Sequence, residues 1–205
     1  MRLDAEYFDA RGPNPRTVRA AAAEKGIELH TTSVDVIGGE NRQPEYLAIN
    51  PFGGAPALRL SSGEVIADSL AICEYFEEIA PRPALLGTTS IERGIVRTWL
   101  RRIECEFTAP VTLGFRADAG RDLFAARTPV LNREASCGAF EIAQHALDAI
   151  ERHMAGPFIA GDTVSLADIR LNALLDFAVR FGVRAPQGAL APWRLRMGRR
   201  QSSRA

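Results

Sequence analysis

The pattern of apolar and polar positions divides the chain into alternating strands and helices up to about residue 80, and helices beyond it. Residues 2–8 and 30–36 have the short apolar character of strands. The segments ALRL and EVIA flank SSG, which is typical of a β-hairpin. Together they predict a four-stranded mixed sheet with its first two strands parallel and its hairpin antiparallel.

Two helices are predicted among these strands. Asn14 is a favoured N-cap residue, Pro15 suits the first helical position and Gly26 suits the end, which predicts a helix over residues 15–25. The segment SLAICEYFEEIA repeats apolar residues at helical spacing, and Pro81 ends it.

The second half of the chain has no strand-like segment. Long helices are predicted over residues 91–115, 136–154 and 165–181. The last of them begins with Ser165 and has Asp168 three positions later, which predicts a structural capping box and not a catalytic pair.

The same pattern predicts the domain boundaries. Residues 1–81 form a small α/β domain, residues 82–89 a linker, and residues 90–205 an all-helical domain. The basic tail WRLRMGRRQSSRA is expected to fray at its end.

Composition narrows the classes of partner. The formal net charge is zero, so we expect neither nucleic acid nor an anionic membrane surface as a partner. No stretch is long and apolar enough to cross a bilayer or to act as a signal segment, which favours a cytoplasmic setting.

Cysteine and histidine positions do not indicate a metal or a disulfide framework. Cys73, Cys105 and Cys137 are far apart and form no CxxC pair. His145 and His153 lie eight positions apart with no accompanying acidic pattern, so we expect no metal site.

The segment NPFGGAPALRLSSGEVIADSLAICEYFEE contains the most informative chemistry. A cis bond between Ala55 and Pro56 at the entry to a strand would turn the Ala55 backbone outward, where an extended peptide could pair with it. Asp68 and Ser69 open a helix, whose N-terminus attracts anions, and the Asp68 carboxylate suits an ammonium group. These features predict a pocket for a small extended peptide that has both a carboxylate and an amine.

This segment resembles the glutathione-binding segment of the glutathione transferase family. EKGIEL, PEYLAINPFG, ADSLAI and GDTVSLADI follow that family's pattern in order, over residues 2–200. The resemblance implies a thioredoxin-like N-terminal domain, a helical-bundle C-terminal domain, a homodimer and glutathione as co-substrate. It implies detoxification chemistry, in which the glutathione thiolate is added to a small apolar electrophile.

The resemblance also implies roles for individual residues. Ala55, next to Pro56, would pair with the cysteinyl backbone of glutathione. Asp68 and Ser69 would hold its γ-glutamyl end, and Arg42 would meet its glycyl carboxylate.

The sequence departs from the family pattern at Gly12, where many bacterial relatives have a Ser or Cys that contacts the sulfur. Tyr7, Arg11 and Asn14 are the remaining side chains that could stabilise the thiolate by a hydrogen bond or a charge. Tyr7 is the first candidate, because other branches of the family use a tyrosine hydroxyl, and Tyr7→Phe is expected to lower turnover at least tenfold.

The electrophile site is expected along the first long helix of the second domain. Four residues there have helical spacing: Phe107, Val111, Thr112 and Phe115. Glutathione-dependent dehalogenation, ether cleavage or isomerisation on the same fold remains an alternative, as does a glutathione-binding protein without catalysis.

Overall fold

A computed structural model describes residues 1–204 of the chain, without the side chain of residue 204. Two compact units form: Met1–Leu86 together with residues 199–204, and Gly87–Gly198. Within the described residues, no helix is long and apolar enough to cross a membrane.

The first unit is built on a four-stranded mixed sheet, as the pattern predicts. Its strands and helices are β1 (Arg2–Asp9), α1 (Pro13–Lys25), β2 (Glu28–Ser33), α2 (Pro44–Leu47), β3 (Ala57–Leu60), β4 (Val65–Ile66) and α3 (Ser69–Ile79), with a 3-10 turn at Glu40–Arg42. The strand order is β2-β1-β3-β4, with β1 parallel to β2, and β3 antiparallel to both β1 and β4. This is a thioredoxin-like arrangement, which confirms the expected fold of the N-terminal part.

Strand β1 is buried on both faces of the sheet near its end. Tyr7 is fully buried and Phe8 almost so, and successive strand residues point to opposite faces. Phe8 packs with Val34, Tyr46 and Ala57, and its ring meets Tyr46 edge-on at 6.0 Å between centroids. Burying both rings places the end of β1, and the turn that follows it, in a fixed position.

Helix α1 begins earlier than the sequence predicts. Gly12 is the N-cap, Pro13 is the first helical residue, and Asn14 lies within the first turn instead of capping it. The φ angle of Gly12 is +143°, a conformation that strains any residue with a side chain. Proline at the first helical position needs no N–H partner, which is why Pro13 takes the place predicted for Pro15.

The only lysine in the chain is a buried connector within the first unit. Lys25 Nζ, at the end of α1, donates to the carbonyl oxygens of Ala80 at 2.7 Å and Pro83 at 2.9 Å, and lies 2.5 Å from a Glu77 carboxylate oxygen. Glu77 also accepts the backbone N–H groups of two residues that follow Pro83. The pair therefore fixes the chain after α3 to α1.

The C-terminal residues also belong to the first unit, whereas the sequence assigned them to the helical domain and expected the tail to fray. A 3-10 turn, Gln201–Arg204, packs on α1. Arg200 donates to both carboxylate oxygens of the buried Glu24 side chain, at 2.8 and 2.7 Å. A two-bond guanidinium–carboxylate contact orders this segment, a pairing that composition alone does not reveal.

The second unit is helical, as predicted, and its only β contact is an isolated bridge between Phe158 and Gly161. The predicted helix over residues 91–115 is interrupted by a π-helical segment, Ile103–Thr108. The helices are α4 (Ser90–Arg102), α5 (Ala109–Ala117), α6 (Arg121–Phe124), α7 (Ala135–His153), α8 (Leu166–Phe181) and α9 (Leu190–Gly198).

Two buried polar groups organise this unit. Asp168 accepts hydrogen bonds from the N–H and hydroxyl of Ser165, from the N–H of Ile159 and from the indole of Trp193, all at 2.7–2.9 Å. The predicted capping box is therefore present, and it extends to α9. Arg170 on α8 makes two contacts with Glu104 in the π-helical segment, which fixes that segment to α8.

Lys25→Met is expected to lower the free energy of unfolding by about 3 kcal/mol, because it leaves the largely buried Glu77 carboxylate without its cation. Urea denaturation measures the change. The double variant Lys25→Met/Glu77→Gln should recover part of the loss, since no unpaired charge remains. Equal losses in the single and double variants would contradict an electrostatic origin.

Candidate active site

The loop between α2 and β3 is held by buried polar side chains. Gly54 O accepts a hydrogen bond from the Tyr46 hydroxyl at 2.6 Å and another from Asn50 Nδ2 at 2.7 Å. Gly53 O accepts from Asn41 Nδ2 at 2.6 Å. Asn41, Tyr46 and Asn50 are each at least 95% buried, so these bonds form away from water and fix the loop up to Gly54.

Ala55 follows this fixed loop and has an unpaired backbone. The Ala55–Pro56 peptide bond is cis, as the sequence suggested, and β3 begins one residue later. Within residues 1–204, neither the N–H nor the carbonyl of Ala55 has a hydrogen-bond partner. A rigid, half-buried and unpaired peptide unit beside a strand is suited to pairing with the backbone of an extended peptide.

The start of α3 combines an acid and a hydroxyl, with a division of roles that the sequence left open. Asp68 is the N-cap: its Oδ1 accepts from the N–H groups of Leu70 at 2.9 Å and Ala71 at 3.0 Å. Ser69 is therefore not the cap. In the described part of the chain its N–H and hydroxyl have no partner, nor does Asp68 Oδ2. The site offers two donors and one anionic oxygen side by side.

Arg42 lies in the 3-10 turn before α2, against the same loop. Its side chain is exposed, and Nη1 is 3.4 Å from the carbonyl oxygen of Phe52, a long and weak contact. Most of its guanidinium donors therefore remain available beside the loop that leads to Ala55.

The first turn of α1 contains the other predicted side chains. Arg11 is exposed and forms no ion pair with any described residue. Asn14 is also exposed, and the N-cap of α1 is Gly12. Pro13 and Pro15 lack an N–H, so Asn14 provides the only backbone N–H among the first three helical residues.

Tyr7, the first candidate for the thiol partner, lies in the core. Its side chain is fully buried, and its hydroxyl donates to the Pro15 carbonyl at 3.0 Å. Burial, with a smaller effect of the Asp9 carboxylate, raises the pKa of Tyr7 well above its usual range. The Tyr7 hydroxyl is therefore paired inside the first unit and has no exposed surface in this structure, since strand alternation turns it under α1.

The residues predicted to line an electrophile site divide into two kinds. Phe107 and Val111 are fully buried, and their shared helical face is core in this structure. Thr112 and Phe115 are only partly buried and remain candidates. Helical spacing alone cannot separate a lining face from a core face.

Comparison with known proteins identifies the family. The profile described as "Glutathione S-transferase, N-terminal domain" matches residues 12–79. Glutathione S-transferase 2 of Saccharomyces cerevisiae is 34% identical over 203 residues, which cover 96% of this chain and 86% of that protein. The chain belongs to the glutathione S-transferase family.

Other relatives of this glutathione transferase agree with the assignment. The crystal structure of Gtt2 from Saccharomyces cerevisiae superposes with a TM-score of 0.85 at 31% identity and covers 100% of this chain and 99% of that one. A maleylacetoacetate isomerase of Rattus norvegicus is 33% identical over 168 residues, 81% of this chain and 74% of that protein. These relatives are enzymes, which confirms the expected glutathione transferase family and its fold.

Sequence reasoning missed the buried residues that hold the site of this transferase. Asn50 lies within PEYLAINPFG, the stretch that indicated the family, and Asn41 lies shortly before it, yet no role was predicted for either. An asparagine before Pro–Phe–Gly–Gly is typical of any turn, and only the structure shows its amide reaching back to Gly54.

Tyr7→Phe is expected to lower the free energy of unfolding by about 1 kcal/mol, because it removes the hydrogen bond to Pro15. The pKa of a bound glutathione thiol should not change. Urea denaturation and an ultraviolet titration of the thiolate measure the two effects.

The matched control is Tyr75→Phe, since the Tyr75 hydroxyl has no hydrogen-bond partner among the described residues. Its effect on stability should be smaller than that of Tyr7→Phe. A thiol pKa that rises toward the free value in Tyr7→Phe would indicate that Tyr7 does stabilise the thiolate.

Proposed function

We propose that this transferase binds reduced glutathione, stabilises its thiolate and adds it to a small apolar electrophile. One observation supports the proposal best: the first unit contains two sets of groups without a hydrogen-bond partner among the described residues. These are the backbone of Ala55 and the N–H and hydroxyl of Ser69. Glutathione is a short extended peptide with carboxylates at both ends and an amine at one, and it matches these groups in kind.

In this proposal, each part of glutathione meets a different element. The cysteinyl backbone pairs with Ala55, which Pro56 and the fixed loop hold in place. The γ-glutamyl carboxylate accepts from the N–H and hydroxyl of Ser69, and its ammonium group binds Asp68 Oδ2. The glycyl carboxylate binds Arg42, whose guanidinium is available on the exposed side of the loop.

Thiolate stabilisation is assigned to Arg11 and Asn14. A free thiol has a pKa near 8.5, so it is mostly protonated at neutral pH. A nearby guanidinium and the N-terminal end of α1 both favour the charged form, and an amide hydrogen bond adds to this. Within the helical unit, Thr112 and Phe115 stay the proposed contacts of the electrophile.

Three broader features are also proposed from family membership: a cytoplasmic location, a homodimer, and a glutathione-binding N-terminal domain joined by a linker to the helical domain. Light scattering of the purified protein tests the dimer.

A second candidate function is glutathione-dependent isomerisation, which the similarity to maleylacetoacetate isomerases favours. The thiolate would add to a conjugated double bond, a single bond would rotate, and elimination would release the thiolate again. Conjugation consumes glutathione, whereas isomerisation does not. Assays with 1-chloro-2,4-dinitrobenzene and with maleylacetoacetate, each following free thiol, separate the two.

Ser69→Ala is expected to weaken glutathione binding about tenfold, because it removes a donor to the γ-glutamyl carboxylate. Binding of cysteinylglycine, which lacks the γ-glutamyl group, should not change. Isothermal titration calorimetry measures both ligands.

Ser61→Ala is the matched control, since Ser61 is an exposed serine in the hairpin turn of the same unit. It should bind both ligands like the wild type. A parallel loss of both ligands in Ser69→Ala would place the γ-glutamyl group elsewhere.

Arg11→Gln is expected to raise the pKa of the bound glutathione thiol by about 0.5 to 1 unit, since it removes a cation near the sulfur. Ultraviolet absorbance of the thiolate against pH measures the shift. Arg2→Gln is the control, because Arg2 lies at the other end of β1, on the order of 25 Å away along the strand.

The same titration of the wild type distinguishes a transferase from a binding protein. A bound thiol pKa well below 8.5 supports thiolate chemistry without a Ser or Cys. A thiol that binds and titrates at its free value would indicate a glutathione-binding protein that lacks catalysis.

A further inference from the structure

Four phenylalanine rings meet on the helical unit and form what we call the phenylalanine cluster: Phe115 on α5, Phe124 on α6, and Phe177 and Phe181 on α8. The centroid of Phe115 lies 4.8 Å from that of Phe177, 4.7 Å from that of Phe181 and 6.0 Å from that of Phe124. All four rings are only partly buried, so the cluster presents aromatic surface to solvent.

Arg116 lies next to this cluster and lacks an acidic partner. Its guanidinium carbon is 4.7 Å from the centroid of Phe124. Its Nε is buried and has no hydrogen-bond partner, and Arg116 forms no ion pair within the described residues. The exposed Arg180 also forms no ion pair with a described residue, and its guanidinium carbon lies 5.6 Å from the centroid of Phe181.

A buried N–H of a cation is costly to leave unpaired, and most such groups in native proteins have an acceptor. The ring of Phe124 stabilises one face of the guanidinium but accepts nothing from Nε in its plane. Burial also lowers the pKa of Arg116, which indicates that water screens this cation only in part. A carboxylate would pair with the in-plane N–H donors of Arg116, and this ion pair would be stronger than one at an exposed arginine.

We propose that the phenylalanine cluster and Arg116 bind electrophiles that join an aromatic ring to a carboxylate. The rings pack against the aromatic body, and Arg116 binds the anionic group. The inference rests on the proposed transferase function, because it names the substrate class of that reaction. In the reaction with a chloronitrobenzoate, the sulfur bonds to the carbon that bears chlorine, chloride leaves with the bonding pair, and the thiol proton passes to solvent.

The test compares an anionic electrophile with its uncharged ester: 4-chloro-3,5-dinitrobenzoate and its methyl ester. Each kcat/KM is divided by the rate of the uncatalysed reaction with glutathione. Arg116→Gln is expected to lower the ratio of acid to ester about tenfold or more, mostly through the acid. An unchanged ratio would overturn the proposal.

Two further variants control for charge and packing. Arg101→Gln removes an equal charge from an exposed arginine of α4 and should leave the ratio within about twofold of the wild type. Arg116→Met retains a long side chain against Phe124, and it should lower the ratio of acid to ester as Arg116→Gln does. If Arg116→Gln does not fold, Arg116→Met decides.

A binding measurement decides the inference apart from catalysis. Calorimetry compares 3,5-dinitrobenzoate with its methyl ester, neither of which has a leaving chloride. Tighter binding of the acid to the wild type, lost in Arg116→Met and kept in Arg101→Gln, supports the site even if no turnover is found and the transferase proposal fails. Equal binding of acid and ester by the wild type, or no binding of either, overturns the inference.

Discussion

The carbonyl groups of Gly53 and Gly54 are held by the side chains of Asn41, Tyr46 and Asn50, and the candidate site depends on these bonds. A loop backbone that is satisfied by buried side chains cannot relax toward solvent. The next peptide unit, Ala55, is therefore presented without a partner of its own. The requirement that buried polar groups be paired explains the rigid loop. In the proposed function, the unpaired Ala55 peptide unit pairs with a ligand.

Similar buried polar contacts organise each unit separately. In the first unit, Lys25 and Glu77 fix the chain after α3 to α1, and Arg200 with Glu24 brings the C-terminal residues onto the same helix. In the helical unit, Asp168 connects the start of α8 to Trp193 of α9. Burying any of these groups without a partner costs free energy, and pairing offsets that cost. Each pair therefore specifies one arrangement of the elements it joins.

In the proposed function, the first turn of α1 stabilises a thiolate without a hydroxyl or thiol at Gly12. The φ angle of +143° favours glycine at this position, and two of the first three helical residues are prolines. What remains near the turn is charge and an amide, from Arg11 and Asn14. Electrostatic stabilisation of a thiolate requires a cation or dipole close to the sulfur, and a hydroxyl is only one way to provide a donor.

The sequence alone predicts the fold class, the four strands, the helices α1, α3, α7 and α8, and the resemblance of residues 50–78 to a glutathione-binding segment. A regular spacing of apolar residues indicates a helix or a strand, because residues at that spacing share the buried face. The cis-proline loop and the acid before Ser69 can each be recognised from a few neighbouring residues. The remaining features depend on packing between residues that are distant in sequence. Long-range packing placed Tyr7 under α1, buried Phe107 and Val111 and folded the C-terminal residues onto α1. It also set the Arg116 guanidinium against the Phe124 ring, with no acceptor for Nε among the described residues. Which face of a strand or helix is core depends on residues distant in sequence, and no local pattern contains that information.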